Sequence, residues 1–244
     1  MPLPQVPPIY QPQRLGPKAD AFAKALAAAR AVAEDGTLFW LDRSDRLDCA
    51  LVLAPEAALA ETLQVAYVAM VAAGDALGAL APPIVAVTFR WPDRLLVNGA
   101  EVGGLRLAAA TVAKPADVPD WLVVGLRIAM RGRPNGASPG RSPDRTNLQE
   151  EGCGEIDAQM LLESFSRHLL SWVSRWQDEG FLPVREAWLA RAIDLRPGNP
   201  VALPDCGRGD FVDIDAAGNL RLRDGELTRV FDLAAALSVT AGSR

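Results

Sequence analysis

Charged side chains interleaved with glycines are the residues of this chain best suited to chemistry. Arg90, Trp91, Pro92, Asp93 and Arg94 form one run, Glu101, Gly103 and Gly104 follow it, and Gly125 and Arg127 sit in a later apolar stretch. A tryptophan at a strand end, fixed by the proline after it, can line a ligand cleft. Arg90 can pair with an acidic or phosphate group. Each has a plainer reading as well: Trp91 as a core aromatic and Arg90 as a strand-end surface charge. Strand alternation puts Glu101, Gly103 and Leu105 on one face, and Gly125, Arg127 and Ala129 on one face of a neighbouring strand. That spacing predicts an ion pair between Glu101 and Arg127, against the alternative that each points to solvent. By the same alternation Arg106 faces away from Glu101, and Lys114 lies in the linker beyond the strand.

Other reactive side chains are sparse. The only histidine is His168, and the three cysteines are Cys49, Cys153 and Cys206, so neither a disulfide framework nor a zinc-ligand spacing is present and no metal is expected. Cys153 and His168 could form a nucleophile pair, but nothing in the sequence activates the thiol, and a helix-flank histidine is the simpler reading. The loop around Arg131, Arg133 and Gly136 could hold an anion, yet it lacks a strand-to-helix phosphate motif and reads as a solvated loop.

Composition narrows the function classes. The 244 residues are 50% hydrophobic and 23% charged with a formal net charge of -5, enough for a sizeable core and contrary to nucleic-acid binding. The most apolar stretch, 62–73, is interrupted by Gln64 and followed by Asp75, so no membrane span is expected. The amino terminus has neither a basic nor an apolar signal region, and a cytoplasmic address follows as the expectation.

The elements that must position these residues alternate in type. A helix is predicted over 20–34, short strands over 37–40 and 49–53, and a long helix from about 55 to 80, ended by Pro82 and Pro83. Strands follow over 84–89, 95–97 and 101–110, with Asn98-Gly99 as a two-residue hairpin turn, and another over 121–130. Residues 131–154 read as a mobile loop. Helices over 156–179 and 184–192 are expected to pack on one sheet face, and short strands beyond 196 make a small β module. The sheet is expected to be five or six strands wide.

Arg90 to Leu105 resembles the central motif of biotin protein ligases, in which Lys-Trp-Pro-Asn-Asp, a strand and a hairpin lead to Lys-x-x-Gly. Val123 to Ala129 is similar to that family's Ile-Gly-x-Gly-Ile-Asn strand, Thr146 to Gly152 to the segment before its carboxy-terminal helix, and Asn199 to Val230 to its small SH3-like domain. The resemblance implies an α+β fold, a mixed sheet flanked by helices of the biotin/lipoate ligase and class II synthetase type. It divides the chain into a catalytic-type domain over 1–194 and a small β domain over 195–244. It also implies biotin and ATP as cofactors if the protein is active, a biotin-like acyl ligand, a biotin or lipoyl carrier domain as partner, and a homodimer through the sheet.

Adenylation needs positive charge beside the phosphates, and the position that the resemblance assigns to lysine is Glu101. Two unit charges about 4 Å apart are worth on the order of 4 kcal/mol at an effective dielectric near 20. Exchanging attraction for repulsion on that scale reduces a rate roughly a thousandfold or more. Arg127 replaces the second glycine of the Gly-x-Gly strand, Ala129 its asparagine and Arg94 the last carboxylate of the Trp-Pro motif. The loop between the strands at Trp40 and Cys49 has no glycine to present amides to phosphate. The expectation is a ligase-like binding module without adenylate chemistry, with Arg90, Trp91, Pro92, Asp93, Glu101, Gly103, Gly104, Gly125 and Arg127 around its pocket. The alternatives are a working ligase with rearranged arginines and an ATP-independent acyl transferase.

Overall fold

Leu47, Cys49 and Leu51 alternate with Asp48, Ala50 and Val52, and Val124, Leu126 and Ile128 alternate with Val123 and Gly125, so two neighbouring strands bury both faces and need helices on each side. The computed structural model describes residues 3–112, 114–132, 144–193, 195–203 and 207–242. In chain order the first elements are β1 (Gln11–Leu15), α1 (Ala21–Arg30), β2 (Thr37–Leu41), β3 (Arg46–Leu53), α2 (Leu59–Thr62) and α3 (Val65–Leu80). They are followed by β4 (Val87–Arg90), β5 (Arg94–Val97), β6 (Ala100–Ala110), β7 (Leu122–Ala129), α4 (Ala158–Glu179) and α5 (Phe181–Arg191). The chain continues through β8 (Pro200–Leu203), β9 (Gly207–Ile214), β10 (Leu220–Asp224), β11 (Leu227–Phe231), α6 (Leu233–Ala236) and β12 (Thr240–Gly242).

The main sheet is mixed and eight-stranded, in the order β1-β2-β3-β7-β6-β5-β4, with β12 joining β6 where β5 has ended. It exceeds the expected five or six strands because β1, inside the proline-rich lead, pairs parallel with β2, and because the carboxy terminus returns to β6. α1 covers one face through Phe22, Ala25 and Ala29, and Asp20 caps it by accepting the Ala23 N–H. α3, α4 and α5 cover the other face.

The long helix expected over 55–80 is divided at Leu63 and Gln64. Gln64 donates to the Ala216 carbonyl at 2.9 Å and accepts from the Trp176 indole at 3.0 Å, so its side chain ties three segments together. The run 59–80 is long and apolar enough to cross a bilayer, but 78% of its most apolar window is buried inside the fold. Its residues have their apolar partners within the chain, as a core helix does.

β8 to β11 form a separate four-stranded antiparallel sheet. Phe211, Ile214, Leu220 and Leu222 extend the main core into it. The joint is polar as well as apolar: the buried Tyr67 hydroxyl donates to the Gly218 carbonyl at 2.6 Å and accepts from the Trp91 indole at 2.8 Å. Gly218 has φ +88, and a Cβ there would stand 3.1 Å from the Tyr67 ring, so the turn meets the tyrosine through bare backbone.

Removing this one hydroxyl strands a buried donor and a buried acceptor, each worth about 1–3 kcal/mol. The Tyr67→Phe variant is expected to lose about 2–4 kcal/mol of unfolding free energy in urea. A loss below 0.5 kcal/mol, as is ordinary for surface substitutions at about ±0.5 kcal/mol, contradicts a shared polar joint.

Candidate functional site

One extra residue in β6 decides which side chains share the site. β5 and β6 pair as Leu95 with Gly103 but Leu96 with Glu101, which leaves Val102 as a bulge. Alternation therefore changes phase: Val102, Leu105 and Leu107 enter the core beside α3, while Glu101 and Arg106 border one cavity with Arg127. The sequence expectation that Glu101 shares a face with Leu105 and that Arg106 turns away is corrected by this bulge. Gly103 and Gly104 are required by neighbouring main chain, since a Cβ would fall 1.9 Å from the Arg127 carbonyl oxygen and 2.3 Å from that of Asp93.

Glu101 is held by arginines on two sides. Its carboxylate lies 3.6 Å from Arg94 and 3.3 Å from Arg145, with only 16% of the side chain exposed. Arg145 arrives on a segment laid along the end of the sheet. The Glu101 N–H donates to Asp144 at 2.8 Å, Thr146 donates to Glu101 at 2.9 Å, and Leu148 donates to Ala129 at 3.0 Å. The turn expected at Asn98-Gly99 is present with positive φ at both residues, and it begins the strand that carries Glu101.

The expected ion pair between Glu101 and Arg127 is not formed. Arg127 lies directly opposite Asp48 in the ladder between β3 and β7, and its guanidinium donates to Asp48 at 2.8 and 3.1 Å and to Asp20 at 3.2 Å. A cross-strand neighbour outcompetes a residue beyond the end of the strand. Burial pushes the Asp48 carboxyl up against the pull of Arg127 and Arg46. Asp20 titrates below the usual range: partial burial raises it, but the Ala23 N–H and the charges of Arg106 and Arg127 prevail.

The cavity that these residues border measures about 550 Å³. Among the described residues six arginines line it, Arg46, Arg94, Arg106, Arg127, Arg131 and Arg145, against two acids, Asp45 and Glu101. The Phe22 ring lies over Gly125, where a Cβ would stand 2.6 Å from it, and the Arg106 guanidinium lies 4.2 Å from the centre of that ring.

Of the residues singled out in the sequence, Glu101, Gly103, Gly104 and Arg127 border the cavity. Gly125 lies beneath Phe22. Asp93 is 3.2 Å from Arg94, and burial raises its carboxyl. Arg90 is exposed on β4 and does not line the cavity, Pro92 is part-buried, and Trp91 is a buried core aromatic bonded to Tyr67. Asp20, Asp48 and Arg145 were not foreseen; an acid inside the apolar run Leu47–Val52 was the available signal for Asp48. Cys153 has its thiol raised by burial, and the His168 Nδ1 lies 2.9 Å from its own helix at Ser164. The described residues contain no group of three metal-binding side chains. Of the loop expected over 131–154, residues 133–143 lie outside the described residues, and residues 144–149 pair with the sheet end.

At the cavity lip Arg43 donates to both oxygens of Asp45 at 2.6 and 2.7 Å and holds that carboxyl below its usual range. A depressed folded-state pKa contributes stability above the unfolded value of 3.8 that is lost as pH falls through the folded value. The Asp45→Asn variant is therefore expected to be about 1 kcal/mol less stable than the parent at pH 7, with the gap closing below the unfolded value. Denaturant unfolding across pH measures it, and a gap independent of pH contradicts the pairing.

The sequence profile of the biotin/lipoate A/B protein ligase family matches residues 6–190. A biotin–[acetyl-CoA-carboxylase] ligase of Paracoccus denitrificans is 29% identical over 189 residues, covering 75% of this chain and 76% of that protein. Among solved structures, a biotin protein ligase-like protein of unknown function from Silicibacter sp. TM1040 is 36% identical with a TM-score of 0.86, covering 96% of this chain and 98% of that one. The biotin protein ligase of Aquifex aeolicus, in complex with biotin and ATP, shares the fold with a TM-score of 0.69 at 17% identity, over 90% of this chain and 95% of that one. A mixed sheet flanked by helices, a profile match over most of its length and these relatives together establish that the chain belongs to the biotin/lipoate A/B protein ligase family.

Proposed function

We propose that this protein is a binding member of its family: the cleft takes a small anionic ligand and does not make an acyl-adenylate. The observation that carries the reading is Glu101, at the position that the resemblance gives to lysine, flanked by Arg94, which it shares with Asp93, and by Arg145. A carboxylate there opposes the charge that develops on a departing pyrophosphate. The two arginines neutralise it, but in doing so they are spent on the protein's own acid.

The surrounding residues do not fit biotinyl-adenylate either. The glycines that would let a ligand approach main chain are closed by protein atoms: Gly103 by Arg127, Gly104 by Asp93 and Gly125 by Phe22. The connection between β2 and β3, residues 42–45, has no glycine to cradle phosphate. Arg46, Arg94, Arg127 and Arg145 are engaged by Asp48, Asp93, Asp20 and Glu101. What is left for a ligand is the half-exposed Arg106, 3.4 Å from Asp20, and the exposed Arg131, with guanidinium N–H groups to spare. That surplus suits a carboxylate or phosphate ligand bound by charge-assisted hydrogen bonds.

Biotin-dependent exchange of pyrophosphate into ATP, and acylation of a biotin carrier domain, are expected at background. Pyrophosphate is expected to raise the melting temperature by about 2–4 °C, less at high salt. The Arg106→Ala/Arg131→Ala double variant removes half-exposed and exposed cations and is expected to abolish the shift. Exchange or carrier acylation above background overturns the reading, as does a shift that survives the double variant.

A further inference from the structure

β3 and β7 carry a second cavity at their other ends. The arginine-lined cleft meets them at Arg46 and Ala129, whereas this cavity, of about 590 Å³, meets them at Leu51, Leu53, Leu122 and Val124. Val65 of α3 and Leu169 and Val173 of α4 form its apolar walls. The amino-terminal stretch closes one side through Ile9 and Tyr10. Gly36 fixes that side, because a Cβ there would stand 2.3 Å from the Ile9 carbonyl oxygen and its φ is +81.

The polar part of this cavity is of one sign. Asp35, Glu56 and Glu61 line it, and no Lys, Arg or His is among the described lining residues. Asp35 is anchored by the Ala54 N–H at 2.9 Å, while Glu56 and Glu61 are exposed at the opening. Ile9, 55% exposed, extends the apolar surface outward. A volume between about 300 and 1,000 Å³, apolar walls and a few polar groups at one end are the attributes of small-molecule sites. Three carboxylates with no counter-cation among the described lining residues repel an anion and attract a cation.

We propose that this cavity binds a small amphipathic cation, an alkyl or aryl body buried against Leu51, Val65, Val124 and Leu169 with a protonated amine at Glu56 and Glu61. The proposal is independent of what the arginine-lined cleft does. It has a natural control, since a carboxylate or alcohol with the same hydrocarbon chain tests the charge and the apolar walls separately.

Calorimetric titration of the full chain with octylammonium, octanol and octanoate is the test. Saturable one-to-one binding of octylammonium, roughly tenfold tighter than octanoate, is expected. The Glu56→Gln/Glu61→Gln double variant is expected to reduce octylammonium to the affinity of octanol, and Ala57→Trp, which adds bulk to the lining, to abolish all three. Methyl NMR shifts of Val65, Val124 and Leu169 on titration of the unmodified protein locate the ligand whether or not the tryptophan variant folds. The proposal is overturned if octylammonium does not bind, if octanoate binds as tightly, if the glutamine variant leaves its affinity unchanged, or if the methyl shifts fall elsewhere.

Discussion

A carboxylate withdrawn from water must be given a counter-charge, and strands β3 and β6 each withdraw one. Asp48 exposes 3% of its side chain and Glu101 16%, and each is answered by a pair of arginines. Arg46 and Arg127 serve Asp48, and Arg94 and Arg145 serve Glu101. Only the Asp48–Arg46 pair is largely buried on both sides, where loss of a partner costs about 3–5 kcal/mol. The arginines at Glu101 are 45% and 70% exposed, and their pairs with it are screened by solvent. The positions of four cleft arginines thus follow from the acids beneath them. The bulge at Val102 is the backbone feature that makes this possible, because it turns Glu101 towards the cavity while Leu105 stays in the core.

Fold and site chemistry are separable in this architecture. Across the family the same sheet and helices support a ligase in complex with biotin and ATP and, at 36% identity to this chain, a protein of unknown function. The family profile over residues 6–190 settles membership, and a shared fold does not by itself settle activity, which depends on the side chains of the site. Gly125 stands where the resemblance gives the first glycine of the Gly-x-Gly strand, and the space above it holds the Phe22 ring from α1.

Much of this was legible in the sequence. Helical periodicity located α4, the Asn98-Gly99 turn located the hairpin and the altered Lys-x-x-Gly motif directed attention to Glu101. The failures have physical causes. β1 was hidden because Gln11 to Leu15 has no period-two apolar pattern; it is an edge strand held through the backbone of β2. The pairing of Arg127 required the register of β3, and Arg106 required the bulge, both set by long-range ladders rather than by local spacing. Arg145 reaches Glu101 from a segment that no periodicity marks.

Calorimetric titration with biotinyl-5′-AMP tests the central claim most directly, because it asks whether the intermediate itself can enter the cleft. No heat of binding up to about millimolar concentration, a limit of roughly 4 kcal/mol in affinity, is the expected result. Submicromolar one-to-one binding that Glu101→Gln leaves intact would mean that the arginines accommodate the phosphate despite the acid, and would contradict the account.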